Sequence, residues 1–322
     1  MDALSDVLRA IRLTGATFFE VAGSAPWVAE QPAPERLLPK IFPGSGHLIS
    51  YHVVTEGRCY ASIVGGEPIP LETGDVVVFT RGDAHVMAST AGMRTKPYSP
   101  SRIDARTRMQ LPFAVSYGQG PVATRLVCGF LACDAQPFNP LLEHLPPVIT
   151  AGDRGSNRGW LRQFIQLATE ESTDKRAGGE SVLARLSELM FIEVIRRYLD
   201  ALPPEQAGWL AGVRDPFVGK ALSLLHGDPS REWTIEALAK GVGLSRSVLA
   251  ERFTDLLGMP PMHYLAKWRM QIASGLLSRG DANVAAVAAE IGYGSEAAFS
   301  RAFKKMVGVA PSEWRRSRVG VD

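Results

Sequence analysis

Two short stretches of this sequence set polar and charged side chains at a spacing suited to touching the edges of bases. In one, Arg246, Ser247, Ala250 and Glu251 follow Ser245; in the other, Glu296, Ala297, Ser300 and Arg301 follow Ser295. With Leu249 and Phe253, or Phe299 and Phe303, turned to a core, each quartet is left on the outer face of a helix. Arg pairs bidentately with guanine, Glu accepts from cytosine N4, and Ala meets a thymine methyl. Lys304, Lys305, Arg315 and Arg316 suit phosphate oxygens, whose contacts fix register without reading sequence. A third set, His52, His85 and Cys128, is of another kind. Such groups line a ligand pocket or, where enough of them converge, hold a metal.

The elements that must carry the two quartets are legible around them. Ile235, Leu238, Ala239 and Val242 share a helical face, Gly243 makes a tight turn, and Ser245 caps a helix over Arg246–Leu257 that Gly258 closes. Val284, Val287, Ala288 and Ile291 repeat that first face. Gly292-Tyr293-Gly294 supplies the turn, Ser295 the cap, and Gly308 the end of a helix over Glu296–Val307. Helix, glycine turn and Ser-capped helix is the shape that delivers a second helix to a major groove. Its recurrence about fifty residues on marks an internal duplication. Between the copies, residues 260 to 277 read as one helix, with Tyr264, Leu265, Trp268, Ile272 and Leu276 apolar. Such a helix holds two reading units at a fixed separation.

The run from Ile291 to Lys305, then Gly308-Val309-Ala310-Pro311 and Trp314-Arg315, resembles the signature of the AraC/XylS family of transcription regulators. Leu238-Ala239, Leu244-Ser245-Arg246-Ser247, Phe253, Gly258, Pro261 and Tyr264-Leu265 resemble its first motif, so the likeness spans residues 215 to 316. It implies control of transcription through contact with promoter DNA and RNA polymerase. Glu251 departs from the pattern, since relatives often carry Arg there.

Upstream, residues 16 to 131 read as short β-rich runs separated by turn residues, such as 48–54, 59–64 and 75–79, which predicts a sandwich or small barrel. The Arg-, Ser- and Pro-rich stretch 92–108 is expected to be a mobile loop. Gly57 and the segment Leu71 to His85, with Gly74-Asp75 at a turn, resemble the cupin pattern, and His85 falls where that pattern carries a metal-binding His. Thr80 replaces the usual Pro, and the His and Glu pair of the first cupin motif has no counterpart, only His47 and His52 lying nearby. A catalytic cupin needs three or four inward ligands. The expectation is therefore a pocket for a small-molecule effector lined by His52, His85 and Cys128, with no metal, no other cofactor and no enzymatic activity. Two alternatives stand beside it. One is a metal-dependent cupin enzyme fused to a DNA-binding domain; the other is a redox-sensing regulator acting through Cys128 or Cys133.

Between the halves, Trp160, Phe164, Leu167 and Ala168 line one helical stripe, and Val182, Leu183, Leu186, Leu189, Met190 and Val194 form a broader one. These faces are either ordinary core or a dimer interface of facing helices, and a homodimer is expected. At the start, Leu4, Val7, Leu8 and Ile11 share a face, with Asp2 and Asp6 among them, so this is a packing helix and not a signal peptide.

The 322 residues fit two ordinary domains. The expected division is an effector-binding domain over 1–147, a helical linker and dimerisation region over 148–212, and a DNA-binding domain over 213–322. The last holds one helix-turn-helix at 234–257, a linker helix at 260–278 and a second helix-turn-helix at 282–307. The fold class is α+β multidomain: a cupin-like β-barrel, a helical middle and an all-α end. No apolar run approaches a membrane span, and three cysteines, Cys59, Cys128 and Cys133, suit a cytoplasmic protein. From Leu225 to Val319 there are 13 Lys and Arg against 9 Asp and Glu, a modest basic excess that agrees with a nucleic-acid partner. Phosphate-cradling glycine loops, zinc helices of the His-Glu-x-x-His type and Gly-x-Ser-x-Gly elbows are missing from the sequence.

Overall fold

A computed structural model of the chain describes residues 2–11, 13–99, 113–133, 137–152, 159–174, 177–203, 207–280 and 282–319. Period-two runs broken by turn glycines become strands β1 (Thr14–Gly23), β2 (Val28–Gln31), β3 (His47–Glu56), β4 (Arg58–Ile63), β5 (Ile69–Glu72), β6 (Val76–Phe79), β7 (His85–Ala88), β8 (Phe113–Tyr117), β9 (Thr124–Cys133) and β10 (Val148–Ala151). They form two sheets, a six-stranded one in the order β10-β6-β3-β9-β1-β8 and a four-stranded one in the order β2-β7-β4-β5. Apolar side chains that include Trp27, Val54, Leu71, Phe79 and Leu126 pack together as their shared core.

Register decides what meets inside. In the larger sheet β3 and β9 pair antiparallel with His52 opposite Cys128. In the smaller one β2 and β7 place Gln31 opposite His85. Because successive side chains on a strand point to opposite faces, His52 turns inward while its neighbour Tyr51 turns outward. There the Tyr51 hydroxyl lies 2.7 Å from Ser187 Oγ on helix α5 (Gly179–Ala201), which follows α4 (Trp160–Asp174). At Gly15 of β1, any Cβ would stand 2.4 Å from the Ala184 carbonyl oxygen, so only glycine lets strand and helix come this close.

Thr80 accounts for its own departure from the cupin pattern. Its N–H donates to the Pro147 carbonyl at 3.0 Å and its hydroxyl to that of Pro146 at 2.6 Å. Its carbonyl accepts from His47 Nε2 at 2.6 Å. A proline here would forfeit the N–H bond. The stretch expected to be a mobile loop is anchored where it is described. Arg94 donates to both oxygens of buried Glu30 at 2.9 and 2.8 Å, and the Tyr98 N–H donates to the Glu30 carbonyl at 3.1 Å. The reason is electrostatic, since a buried carboxylate must be paired. Residues 100–108 of that stretch lie outside the described residues.

The remaining helices are α1 (Ala3–Ala10), α2 (Pro34–Ile41), α3 (Pro140–His144), α6 (Trp209–Arg214), α7 (Val218–Gly227), α8 (Ile235–Val242), α9 (Arg246–Leu257), α10 (Pro261–Arg279), α11 (Val284–Glu290), α12 (Glu296–Val307) and α13 (Pro311–Val319). The chain divides into two compact units, neither of them one continuous stretch. The sheet unit is Leu13–Cys133 with Pro146–Asp200; the helical unit is Met1–Arg12, Asp134–Leu145 and Ala201–Asp322. Described residues 2–11 and 137–145, which sequence reasoning groups with the barrel, fall with the helical unit. Their apolar faces explain it: α1 buries Ala3, Leu4 and Val7 and contacts α3, α7 and α10. The N–H of Phe138 donates to Gln271 Oε1 of α10 at 3.0 Å, and its ring meets that of Tyr264 edge-on at 5.5 Å.

Within the helical unit the caps fall where the residue types demand. Side-chain oxygens of Thr234, Ser245, Asn283 and Ser295 accept from the N–H of Ala237, Val248, Ala286 and Ala298 respectively. Gly243, at φ 84°, takes the left-handed turn between α8 and α9. Leu249, Phe253, Phe299 and Phe303 are fully buried, as the two faces require. On α9 it is Leu257, with Leu256 half-buried beside it, that completes the inner face; on α10 Tyr264, Leu265 and Trp268 are buried as expected and are joined by Met270, Ala273 and Leu277, while Ile272 and Leu276 are half-buried.

Candidate functional site

The surfaces that could do chemistry are a basic face on the helical unit and a cavity in the sheet unit. On the first, α9 presents Arg246, Ser247 and Glu251 to solvent and leaves Ala250 half-buried; α12 presents Glu296, Ala297 and Arg301 and leaves Ser300 half-buried. Arg246 pairs with Glu236 of α8 at 3.1 Å, both side chains well exposed, so the pair is weak and open to exchange. Lys304, Lys305 and Arg316 are exposed, whereas Arg315 is half-buried and directs Nη1 toward the Ala282 carbonyl at 3.5 Å. Two residues of α9 escape sequence reasoning. Val248 is an exposed apolar side chain, and Arg252 donates through Nε to Asp215 at 2.8 Å while lying over the Phe217 ring.

The two helix-turn-helix copies are held by more than α10. Gly292, at φ +80°, lies so close to Ser230 that a Cβ would stand 2.1 Å from its carbonyl oxygen. From α10, half-buried Arg269 donates to the carbonyls of Pro229 at 2.7 Å and Arg231 at 2.9 Å and lies over the Tyr293 ring. The loop before the first copy and the turn inside the second are thus fastened to one linker helix.

The cavity lies between the two sheets and has a volume of about 290 Å³. Phe19, Trp27, Met87, Tyr117 and Phe130 give it an apolar, aromatic wall, and Tyr98 from the anchored stretch contributes too. All three effector-site residues expected from the sequence, His52, His85 and Cys128, line it, joined by Gln31. His52 Nε2 and His85 Nε2 are 2.7 Å apart, and the His85 ring stacks on Phe79 at 3.8 Å. Burial pushes His85 down to about 4, in spite of the hydrogen bond to the Asp83 carbonyl, and burial followed by the nearness of His85 holds His52 well below the usual histidine range. Both rings are neutral at physiological pH.

The thiols are held in the opposite sense. Burial, then Cys59, pushes Cys128 well up, and burial, then Asp75, pushes Cys59 up to about 12. A protonated, buried thiol is a poor nucleophile and a poor metal ligand. Cys133 is buried as well. Among the described residues no group of three or more His, Cys, Asp or Glu side chains is placed to hold a metal ion. The aromatic wall was foreshadowed by alternation in β1 and β9, where Phe19, Val21, Leu126, Cys128 and Phe130 keep period two. Gln31 and Tyr98 carried no such signal.

Comparison with known proteins agrees with both surfaces. The family described as Cupin matches residues 2–200, and the family described as Helix-turn-helix domain matches residues 238–317. An AraC-like transcription regulator of Streptomyces antibioticus is 31% identical over 318 residues, 98% of this chain and 99% of the relative. Its counterpart in Streptomyces lividans is 30% identical over 317 residues, 98% of each chain. The HTH-type transcriptional regulator AlkR of Acinetobacter baylyi is 27% identical over 319 residues, 98% of this chain and 99% of the relative. With the likeness running the full length of these regulators and a matched DNA-binding module at its end, the chain belongs to the AraC-like transcription regulators, DNA-binding proteins that here join a cupin domain to a helix-turn-helix domain.

Proposed function

We propose that this regulator is a cytoplasmic homodimer switched by a small molecule in the sheet-unit cavity, reading promoter DNA through α9 and α12 and acting there on RNA polymerase. The observation that carries the reading is the cavity itself, concave, aromatic and of ligand size, in a chain that also bears two matched reading helices. Arg246, Ser247, Ala250 and Glu251 read the first groove segment, and Glu296, Ala297, Ser300 and Arg301 the second. Lys304, Lys305, Arg315 and Arg316 meet phosphates. In the cavity His52, His85 and Cys128 contact the effector, whose unequal affinity for two states biases how the reading helices are presented. Dimerisation is supported by α5, where Val182 and Leu189 are exposed seven residues apart on one face with half-buried Leu186 between them. No described helix is long and apolar enough to cross a membrane.

The test is footprinting of the purified chain on DNA upstream of its own gene at two salt concentrations. The expected result is protection of two major-groove segments about one helical turn apart. Arg301→Ala should weaken binding by about 1–3 kcal/mol and relax preference in one segment only, while Lys304→Ala should weaken all sequences alike and lower the salt dependence by about one ion. Equal affinity for scrambled DNA, unmoved by Arg301→Ala, would overturn the assignment.

A further inference from the structure

Each helix-turn-helix copy has a core of its own, and α10 serves both. In its first half Tyr264 meets Phe253 of α9 edge-on at 5.8 Å, and Trp268 stacks on His226 of α7 at 4.1 Å. In its second half Met270, Ala273 and Leu277 pack with Val287, Ile291, Phe299 and Phe303 of the other copy. Half-buried Arg269 stands at the changeover, between Trp268 and Met270. One shared helix does not by itself fix two bodies, and α10 also carries Ser274-Gly275, the kind of pair at which helices bend. A second connection is needed if α9 and α12 are to keep one mutual geometry.

That connection runs through residues 228–233, the loop ahead of the first copy. The loop is itself shaped by Asp228, whose Oδ1 accepts from Ser230 Oγ at 3.0 Å and the Arg231 N–H at 3.2 Å, and whose carbonyl accepts from the Trp233 indole at 2.9 Å. Arg269 ties it to α10, donating from Nε to the Pro229 carbonyl and from Nη2 to that of Arg231. The same guanidinium lies 5.8 Å from the centre of the Tyr293 ring, in the turn of the second copy. Next to that ring, Gly292 packs against Ser230 with no room for a Cβ. A planar fork can hold two carbonyls and face a ring at once; a lysine would keep the charge and lose this geometry. Resting on the reading of α9 and α12 as the DNA-reading helices, we infer that Arg269 is a positioning residue, locking the two copies into one rigid ruler that accepts a single spacing between its DNA segments. An added base pair moves one segment by about 3.4 Å along the duplex and turns it by about 35°, which a hinged pair of copies could follow and a rigid one cannot.

The experiment takes the two segments protected in the footprint and measures, by fluorescence anisotropy, binding of the full chain to duplexes with the native spacing, with one base pair added, with one removed, and with one segment scrambled. For the unaltered chain either change of spacing should weaken binding at least about tenfold, close to the loss on scrambling a segment. In Arg269→Ala the same change should cost less than about threefold, while affinity for the single-segment duplex stays within about twofold of the unaltered chain. Arg269→Lys should behave as the alanine variant does. A loss that is the same at every spacing overturns the assignment: restored by lysine, it marks a phosphate contact, and unrestored, a purely stabilising residue. If the unaltered chain binds all three spacings alike, the ruler is overturned without recourse to any variant, and the reading role of the two helices stands. If no pair of segments is protected at all, that reading role falls, and the role of Arg269 falls with it.

Discussion

At the scale of single residues, Asp215 shows how one carboxylate serves two elements. Its Oδ1 accepts from the N–H of Phe217 at 3.0 Å and of Val218 at 2.9 Å, capping α7, while Oδ2 takes the Arg252 fork from α9. Burial alone would raise this carboxyl; the bonds from Arg252, Val218 and Phe217 outweigh it and hold the group below its ordinary 3.8. A depressed folded value means that the stabilisation is complete above the unfolded value and is lost as pH falls through the folded one. Asp215→Asn is therefore expected to cost about 1 kcal/mol at neutral pH, and the gap to the unaltered chain should shrink as the pH is lowered from about 5 to about 3. Urea unfolding curves across that range check it; a gap independent of pH would assign the loss to something other than the carboxylate. Gly292 is the opposite kind of residue, one whose value lies in having no side chain where Ser230 approaches.

At the scale of elements, α5 has two apolar faces. One buries Leu183, Met190, Phe191 and Val194 and meets β3 through Ser187. The other leaves Leu189 60% exposed. Leu189→Lys should then leave thermal stability within about 0.5 kcal/mol while shifting the chain from dimer to monomer in analytical ultracentrifugation. A dimer that survives the lysine would move the interface elsewhere. By spacing alone the wide apolar stripe of this helix fits either core or interface; burial divides it between inward and outward residues. On α4, Leu167 counts with the stripe by spacing, yet it is 52% exposed, whereas Phe164 and Ala168 are buried. The helix-turn-helix elements were legible nearly to the residue because their ends are written in local chemistry, Ser245 and Ser295 as caps and Gly258 and Gly308 as stops. The cavity was legible only in part. His85 is marked by the cupin pattern and His52 only by lying near where its first motif would fall, but Gln31 and Tyr98 reach the same space from a short strand and an aperiodic stretch, and only tertiary contacts bring them there.

At the scale of the whole molecule, the departure from expectation is the discontinuity of the units. Periodicity shows that the first helix has an apolar face, but it does not say which partner covers that face. In the structure α1 belongs with α3, α7 and α10. Val7 is completely buried there, so Val7→Asp, which buries an unpaired carboxylate, should cost about 2–4 kcal/mol in the helical unit. Hydrogen exchange should report faster opening of amides in α7 and α10, with β3 and β9 unchanged; loosening of the strands in place of the helices would overturn the assignment of α1. The same arrangement bears on synthesis. The ribosome makes α1 before any other described element and its partner α7 more than two hundred residues later, an interval of roughly 10–40 s at ordinary elongation rates. Until α3 and then α7 and α10 emerge, the apolar face of α1 lacks the partners that bury it in the finished chain.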